Sequence, residues 1–211
     1  MSQIPEKMKA LVAYAPGDYR LEMVPTPRAA GDDVIVKVEG CGVCAGDLKA
    51  FHGAPSFWGG EGSPAYIKAP MIPGHEFVGT VVEVGPDQKE FKVGDRVVSD
   101  QIVPCWECKF CKTGRYWMCQ KHDVYGFQNN VNGGMAEYMA VDSVQHIVPI
   151  DDQDPIKMAP LNDAGLTPYS IIKRFRHKLR AGSTAVVIGA GGLGHVAIQL
   201  LRRMSDAQVI A

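Results

Sequence analysis

Short apolar runs separated by glycine and proline dominate the first hundred positions. Met8-Lys9-Ala10-Leu11-Val12-Ala13-Tyr14 is stopped by Pro16-Gly17, and Tyr19-Arg20-Leu21-Glu22-Met23-Val24 alternates before Pro25 and Pro27. Asp33-Val34-Ile35-Val36-Lys37-Val38-Glu39 has the β-branched content of a sheet strand and ends at Gly40. Phe77 to Val84, closed by Gly85-Pro86, and Gly94-Asp95-Arg96-Val97-Val98 repeat the theme. Many short strands with this punctuation predict a small, irregular β-barrel.

The pattern changes near the other end. Ser183-Thr184-Ala185-Val186-Val187-Ile188 reads as a buried strand and runs into Gly189-Ala190-Gly191-Gly192-Leu193-Gly194. Val196, Ile198, Leu200, Leu201 and Met204 then follow with roughly helical spacing, and Gln208-Val209-Ile210-Ala211 begins another strand. Strand, glycine turn, helix and strand form the context in which G-x-G-x-x-G has a physical meaning. Its glycines let a pyrophosphate approach the backbone at a helix N-terminus. His195, just after the motif, reads as a helix-surface residue.

Composition bounds the function. The 211 residues are 46% hydrophobic and 21% charged with a net charge of −1, so the chain reads as globular and near neutral, with no sign of a nucleic-acid partner. Apolar runs such as Ala185-Val186-Val187-Ile188 fall far short of the roughly 20 residues of a membrane span. Glu6, Lys7 and Lys9 interrupt the N-terminus before a signal-length apolar stretch, which leads us to expect a cytoplasmic protein.

Six cysteines carry the strongest chemical signal. Cys105, Cys108, Cys111 and Cys119 are spaced so that one local loop wraps a tetrahedral ion, as a closed structural zinc site requires. Lys109, Lys112, Arg115 and Lys121 offset the negative charge of such a complex. A pair of disulfides is the competing reading of the same four residues. Two other short pieces, Cys41-Gly42-Val43-Cys44-Ala45-Gly46-Asp47 and Pro73-Gly74-His75-Glu76, put a zinc-binding residue type beside a carboxylate. Taken alone, such a cysteine is most often packing and such a histidine a hydrogen-bonded loop residue.

In their order along the chain, the four-cysteine lobe, Gly74-His75-Glu76 with its following strand, Gly94-Asp95-Arg96-Val97 and the terminal glycine motif resemble the zinc-dependent alcohol dehydrogenases of the medium-chain dehydrogenase/reductase family. The resemblance implies a mixed α/β protein: a GroES-like β-rich barrel over residues 1–150 with a structural zinc lobe, then residues 151–211 opening an incomplete Rossmann domain. It implies two zinc ions per chain, a nicotinamide cofactor (NAD or NADP), a small alcohol or polyol substrate and homo-oligomers for the full-length protein.

By the same resemblance Cys44 and His75 are catalytic zinc ligands, Asp47 fixes the His75 ring, and Glu76 is near the metal and able to exchange into its coordination. Many relatives have a cysteine at the position of Asp163, and the polyol branch a glutamate at that of Ala159. Alanine binds no zinc, so Asp163 is the expected third ligand; an N-terminal helix cap is its alternative role. Thr167 falls against the nicotinamide, and Gly189, Gly191, Gly192, Leu193 and Gly194 hold the cofactor. The implied reaction is hydride transfer from an alcohol, with zinc as Lewis acid.

Three departures qualify the expectation. Gly46 stands where the family has a serine or threonine that starts a proton relay. Relatives continue well past Ala211, so a truncated, inactive zinc-binding remnant is an alternative to the enzyme. A zinc-free quinone reductase relative is a further one, disfavoured by the cysteines. Finally, the region up to Met139 resembles erythritol/threitol-type polyol dehydrogenases, whereas the region from Glu137-Tyr138-Met139-Ala140-Val141-Asp142-Ser143 onward resembles secondary and aryl alcohol dehydrogenases. Phe57, Trp58 and Tyr66, in an extra-long stretch over residues 54–70, either wall the substrate cleft or pack that stretch onto the barrel.

Overall fold

The computed structural model describes residues 4–60, 62, 64–128, 131–142 and 144–211; Ser143, and Glu61 and Ser63 of the 54–70 stretch, lie outside the described residues. The chain divides into two compact units, one through Ala159 and one from Pro160 to Ala211.

Among the described residues, the first unit contains nine strands. β1 (Lys7–Ala15) and β2 (Asp18–Pro25) form an antiparallel hairpin turned at Pro16-Gly17, where Gly17 adopts a φ of 71°. β3 (Val34–Gly42) and β4 (Glu76–Val84) are the central strands of a five-stranded antiparallel sheet. β5 (Arg96–Ser99) flanks β4, while β8 (Tyr138–Val141) flanks β3 and β9 (Ile147–Pro149) lies outside β5. Two very short strands, β6 (Ile102–Val103) and β7 (Asp123–Val124), pair antiparallel at the neck of the cysteine lobe.

The expected strands are present, with edges moved where neighbours dictate. β3 continues past Gly40 to Gly42 because its far end pairs with the start of β4, Gly42 opposite Glu76. Gly94 lies in a turn with Val93, and the strand begins only at Arg96, after Asp95. Val34, Val36, Phe77, Val81, Val97, Tyr125, Met139 and Val141 make the main core. Each of the fully buried valines contributes roughly 1.5–3 kcal/mol of transfer free energy. Two irregularities in the β3–β4 register, at Ile35/Val36 and Val38/Gly40, bend this pair on its way to the cysteine-bearing segment. From that bend the chain enters α1 (Ala45–Phe51) and α2 (Pro55–Trp58), and the unit closes with α3 (Pro155–Met158).

The second unit contains α4 (Leu166–Phe175), β10 (Thr184–Val186), α5 (Gly192–Met204) and β11 (Gln208–Ile210). β10 and β11 are parallel with α5 as their crossover, the opening of a doubly wound sheet. One expectation is corrected here. The run Ser183–Ile188 does not form a buried strand: β10 is three residues long, Val186 is 64% exposed and Ile188 is 96% exposed. Among the described residues β10 has one strand neighbour, and a parallel strand is buried only when neighbours and helices cover both its faces.

Candidate active site and metal centres

The cysteine lobe leaves the barrel at β6 and returns at β7. All six cysteines are free thiols, which removes the disulfide reading. The four lobe sulfurs lie within 4.8 Å of one another, with Cys108–Cys111 at 3.5 Å and Cys105–Cys119 at 3.4 Å. A tetrahedral zinc with sulfur at about 2.3 Å needs sulfurs about 3.8 Å apart, so this donor set fits the ion. The Cys111 backbone N–H, above all, brings Cys108 down to about 6, whereas burial pushes the Cys111 thiol up to about 12. Without a cation the cluster therefore retains protons, and binding a metal releases them.

Tertiary contacts hold this lobe. Trp106 adopts a φ of 55°, an uncommon conformation for a bulky residue, and its ring stacks on the buried His146 with centroids 6.0 Å apart. The Tyr116 hydroxyl donates to Asp100 Oδ2 at 2.9 Å, and the Asp100 backbone N–H donates to the His146 carbonyl at 2.6 Å.

A second group of ligand atoms assembles where β3 meets β4. Cys44 is the N-cap of α1: its sulfur accepts from the Gly46 N–H at 3.0 Å, while Asp47 Oδ2 accepts from the Cys44 N–H at 2.8 Å. This reciprocal capping box fixes the cysteine at the mouth of the helix. His75 follows Gly74, whose φ of 99° is open to glycine, and a Cβ at that position would stand 2.7 Å from Cys41 Sγ. Glu76 starts β4 opposite Gly42, where a side chain would overlap its carboxylate. As a result Cys44 Sγ, a His75 ring nitrogen and a Glu76 oxygen lie within 4.8 Å of one another, with His75 and Glu76 buried. One thiol, one imidazole and one carboxylate at that spacing suit a zinc ion. Cys41, by contrast, is pushed up to about 12 by burial, so it stays a packed thiol.

Asp47 is buried and its Oδ1 stands 3.5 Å from His75 Nδ1, an electrostatic contact that favours one ring orientation. The opposite support was not legible in the sequence: the Phe127 ring lies 4.7 Å from the imidazole. Phe57 and Tyr66 join Phe127 with centroids 5.3 Å and 6.5 Å away, so three aromatics form one cluster beside His75. Trp58 belongs to the packing reading as well: its Nε1–H donates to the Ala50 carbonyl at 2.6 Å and ties α2 to α1.

In the second unit, Asp163 precedes α4, whose N-cap is Gly165. Thr167 donates its backbone N–H to the Asp163 carbonyl at 3.1 Å and its hydroxyl to Asp163 Oδ1 at 3.5 Å. The glycine motif turns tightly into α5. Gly189 has a φ of 91°, and a side chain at Gly194 would overlap the Gly189 carbonyl. At Gly191, the N-cap, nothing lies within 4 Å of where a Cβ would be, and no side chain caps the helix. A turn so open, at an uncapped helix start, fits a pyrophosphate. His195 is exposed on α5, as expected.

Residues 30–152 match the alcohol dehydrogenase GroES-like domain. The chain belongs to this alcohol dehydrogenase family. Over its whole length the chain is 42% identical to an erythritol/L-threitol dehydrogenase of Mycolicibacterium smegmatis, of which it spans 58%. It is 40% identical to an alcohol dehydrogenase of Geobacillus stearothermophilus across 87% of this chain and 51% of that protein. The alcohol dehydrogenase of Aeropyrum pernix superposes with a TM-score of 0.83 at 34% identity, covering 96% of this chain and 58% of its own. The chain thus spans somewhat more than half the length of these dehydrogenases. Among the described residues no helix is long and apolar enough to cross a membrane.

Proposed function

We propose that this chain carries the catalytic zinc site of an alcohol or polyol dehydrogenase that moves hydride between a small alcohol and NAD or NADP. The observation that carries the reading is the convergence of Cys44, His75 and Glu76 donor atoms within 4.8 Å, the first from the N-cap of α1 and the other two from the entry into β4, in a family of alcohol dehydrogenases. Bound zinc would supply Lewis-acid polarisation of the alcohol oxygen, and a bound nicotinamide the hydride acceptor. Cys44, His75 and Asp163 are the proposed resident ligands, with Glu76 exchanging in.

The chain's own residues have distinct tasks. Asp47 and Phe127 orient His75, and the aromatic cluster keeps water from the reacting carbon. Gly189, Gly191, Gly192, Leu193 and Gly194 receive the pyrophosphate, and Thr167 faces the nicotinamide. Gly46 offers no hydroxyl, so the alcohol proton leaves through water. The likeness to an erythritol/L-threitol dehydrogenase and to alcohol dehydrogenases supports small alcohols and polyols as the substrate class.

The test is metal content in an Asp163→Asn variant. Loss of the negative charge is expected to release one of two zinc ions, or weaken it at least tenfold, with the fold unchanged by circular dichroism. Two ions held as tightly as in the parent would remove Asp163 from the ligand set.

A further inference from the structure

A cleft of 490 Å³ opens between the β1–β2 hairpin and β8, within the range of roughly 300–1,000 Å³ typical of small-molecule sites. Cys44, Asp47, His75 and Glu76 take no part in its walls. The hairpin is fastened along β1. Leu11 N–H donates to the Met135 carbonyl at 2.9 Å, Glu137 N–H to the Lys9 carbonyl at 3.0 Å, and Ala13 N–H to the Met71 carbonyl at 2.8 Å. β2 pairs with β1 alone among the described strands, so its inner side chains meet β8 across open space.

Met8, Val12, Val24, Met71, Ile72 and Met139 give the cleft apolar walls. The two charged residues among its described lining are Glu22 and Asp142, and neither lysine nor arginine lines it. Each carboxylate is steadied by a phenol. Tyr14 donates to Glu22 Oε2 at 2.9 Å, and Tyr125, 1% exposed, donates to Asp142 Oδ1 at 2.5 Å. A carboxylate that accepts one phenol keeps lone pairs for a second donor. Arg20, whose guanidinium lies over the Tyr14 ring, is already engaged by Asp18 at 2.7 Å.

Apolar walls beside fixed negative charge select by sign. An acid is repelled, a neutral molecule gains burial alone, and an ammonium gains both burial and a charge-assisted hydrogen bond. We propose that this cleft is a second ligand site, separate from the zinc site, and that it binds small amphiphilic amines with the ammonium at Glu22 and Asp142 and the apolar body along β1, β2 and β8.

Octylamine, octanol and octanoate share one tail and differ in head group, so they isolate the charge. Titrated into the ¹⁵N-labelled protein at neutral pH, octylamine is expected to give saturable shifts at β1, β2 and β8 amides, with octanol and octanoate at least tenfold weaker. The double substitution E22Q/D142N keeps oxygen acceptors for both phenols and is expected to weaken octylamine at least tenfold. Ala140→Leu, which fills the cleft from β8, is expected to weaken all three. Equal binding of octanoate, an unchanged affinity in E22Q/D142N, or shifts centred on Cys44 and His75 would each overturn the proposal. Should Ala140→Leu fail to fold, the charge-neutral pair still decides the outcome.

Discussion

A Cβ placed on Gly46 would stand 3.1 Å from Cys44 Sγ and 3.7 Å from both Phe127 and Phe57. The two aromatic rings stand at ordinary van der Waals distance, so a serine here requires only that Cys44 Sγ give by a few tenths of an ångström. On the proposed function, in a protein that carries this chain with a full nucleotide-binding domain, Gly46→Ser is expected to raise alcohol oxidation by at least ~10-fold near pH 6 and by less near pH 9, because losing the alcohol proton is hardest in acid. A pH-rate profile parallel to the parent's would mean that another group already moves the proton. Phe57 and Trp58, adjacent in sequence, both pack against the cluster of Ala50 and Phe127, and substitution separates the two roles open to them. Trp58→Ala removes the 2.6 Å bond to Ala50 and half-buried packing, and is expected to cost roughly 2–3 kcal/mol in urea unfolding. Phe57→Ala, which strips a ring from the cluster at His75, is expected instead to shift the ratio of simple-alcohol to polyol kcat/KM by about 10-fold, or ~1.4 kcal/mol. Equal losses for the two substrates would assign Phe57 to packing.

At the level of elements, the cysteine lobe depends on a residue outside it. Burial holds the His146 imidazole below its usual value, against the opposing pull of Asp142 and Asp100; the Trp106 and Tyr125 rings lie against it. The unfolded chain thus binds this proton more readily than the folded one. The His146 contribution to stability is complete above about pH 6.5 and is lost as pH falls from there through the lower folded value. His146→Gln, which does not titrate, is expected to flatten the fall in unfolding free energy between pH 7.5 and 5.5 in the zinc-loaded protein. Identical slopes for the two proteins would show that folding leaves the proton affinity of the imidazole unchanged.

For the whole molecule, the two metal groups have separable consequences. Cys105, Cys108, Cys111 and Cys119 close a lobe with little apolar core of its own, so a metal ion bound there would contribute directly to folding. Cys108→Ser is expected to lower the melting temperature by ~10 °C or more and to release one ion. Cys44→Ala, at a helix N-cap beside an intact sheet, is expected to release the other ion at a cost of about 1 kcal/mol. Calorimetry with metal analysis checks both, and a single zinc lost with Cys44 but kept without Cys108 would reverse the assignment. The hairpin strands β1 and β2 and the sheet strands β3, β4 and β5 were legible in the alternation and punctuation of the first hundred residues, whereas the flanking strands β8 and β9 were not. The burial of β10 was not, because an apolar run states what a strand can bury and its neighbours decide what it does bury.

Two features were determined by the sequence itself, and both are local. The four cysteines lie close enough along the chain that almost any compact path brings their sulfurs together, and Gly189, Gly191 and Gly194 set a turn whose sterics are internal to it. The tertiary structure decided the rest of the site. Glu76 reaches Cys44 and His75 because the bent β3–β4 register puts it opposite Gly42, Phe127 arrives at His75 from a loop beyond β7, and Trp106 meets His146 from the far side of the lobe. None of these pairings leaves a periodic trace, because each depends on how distant segments are brought together by strand register and core packing.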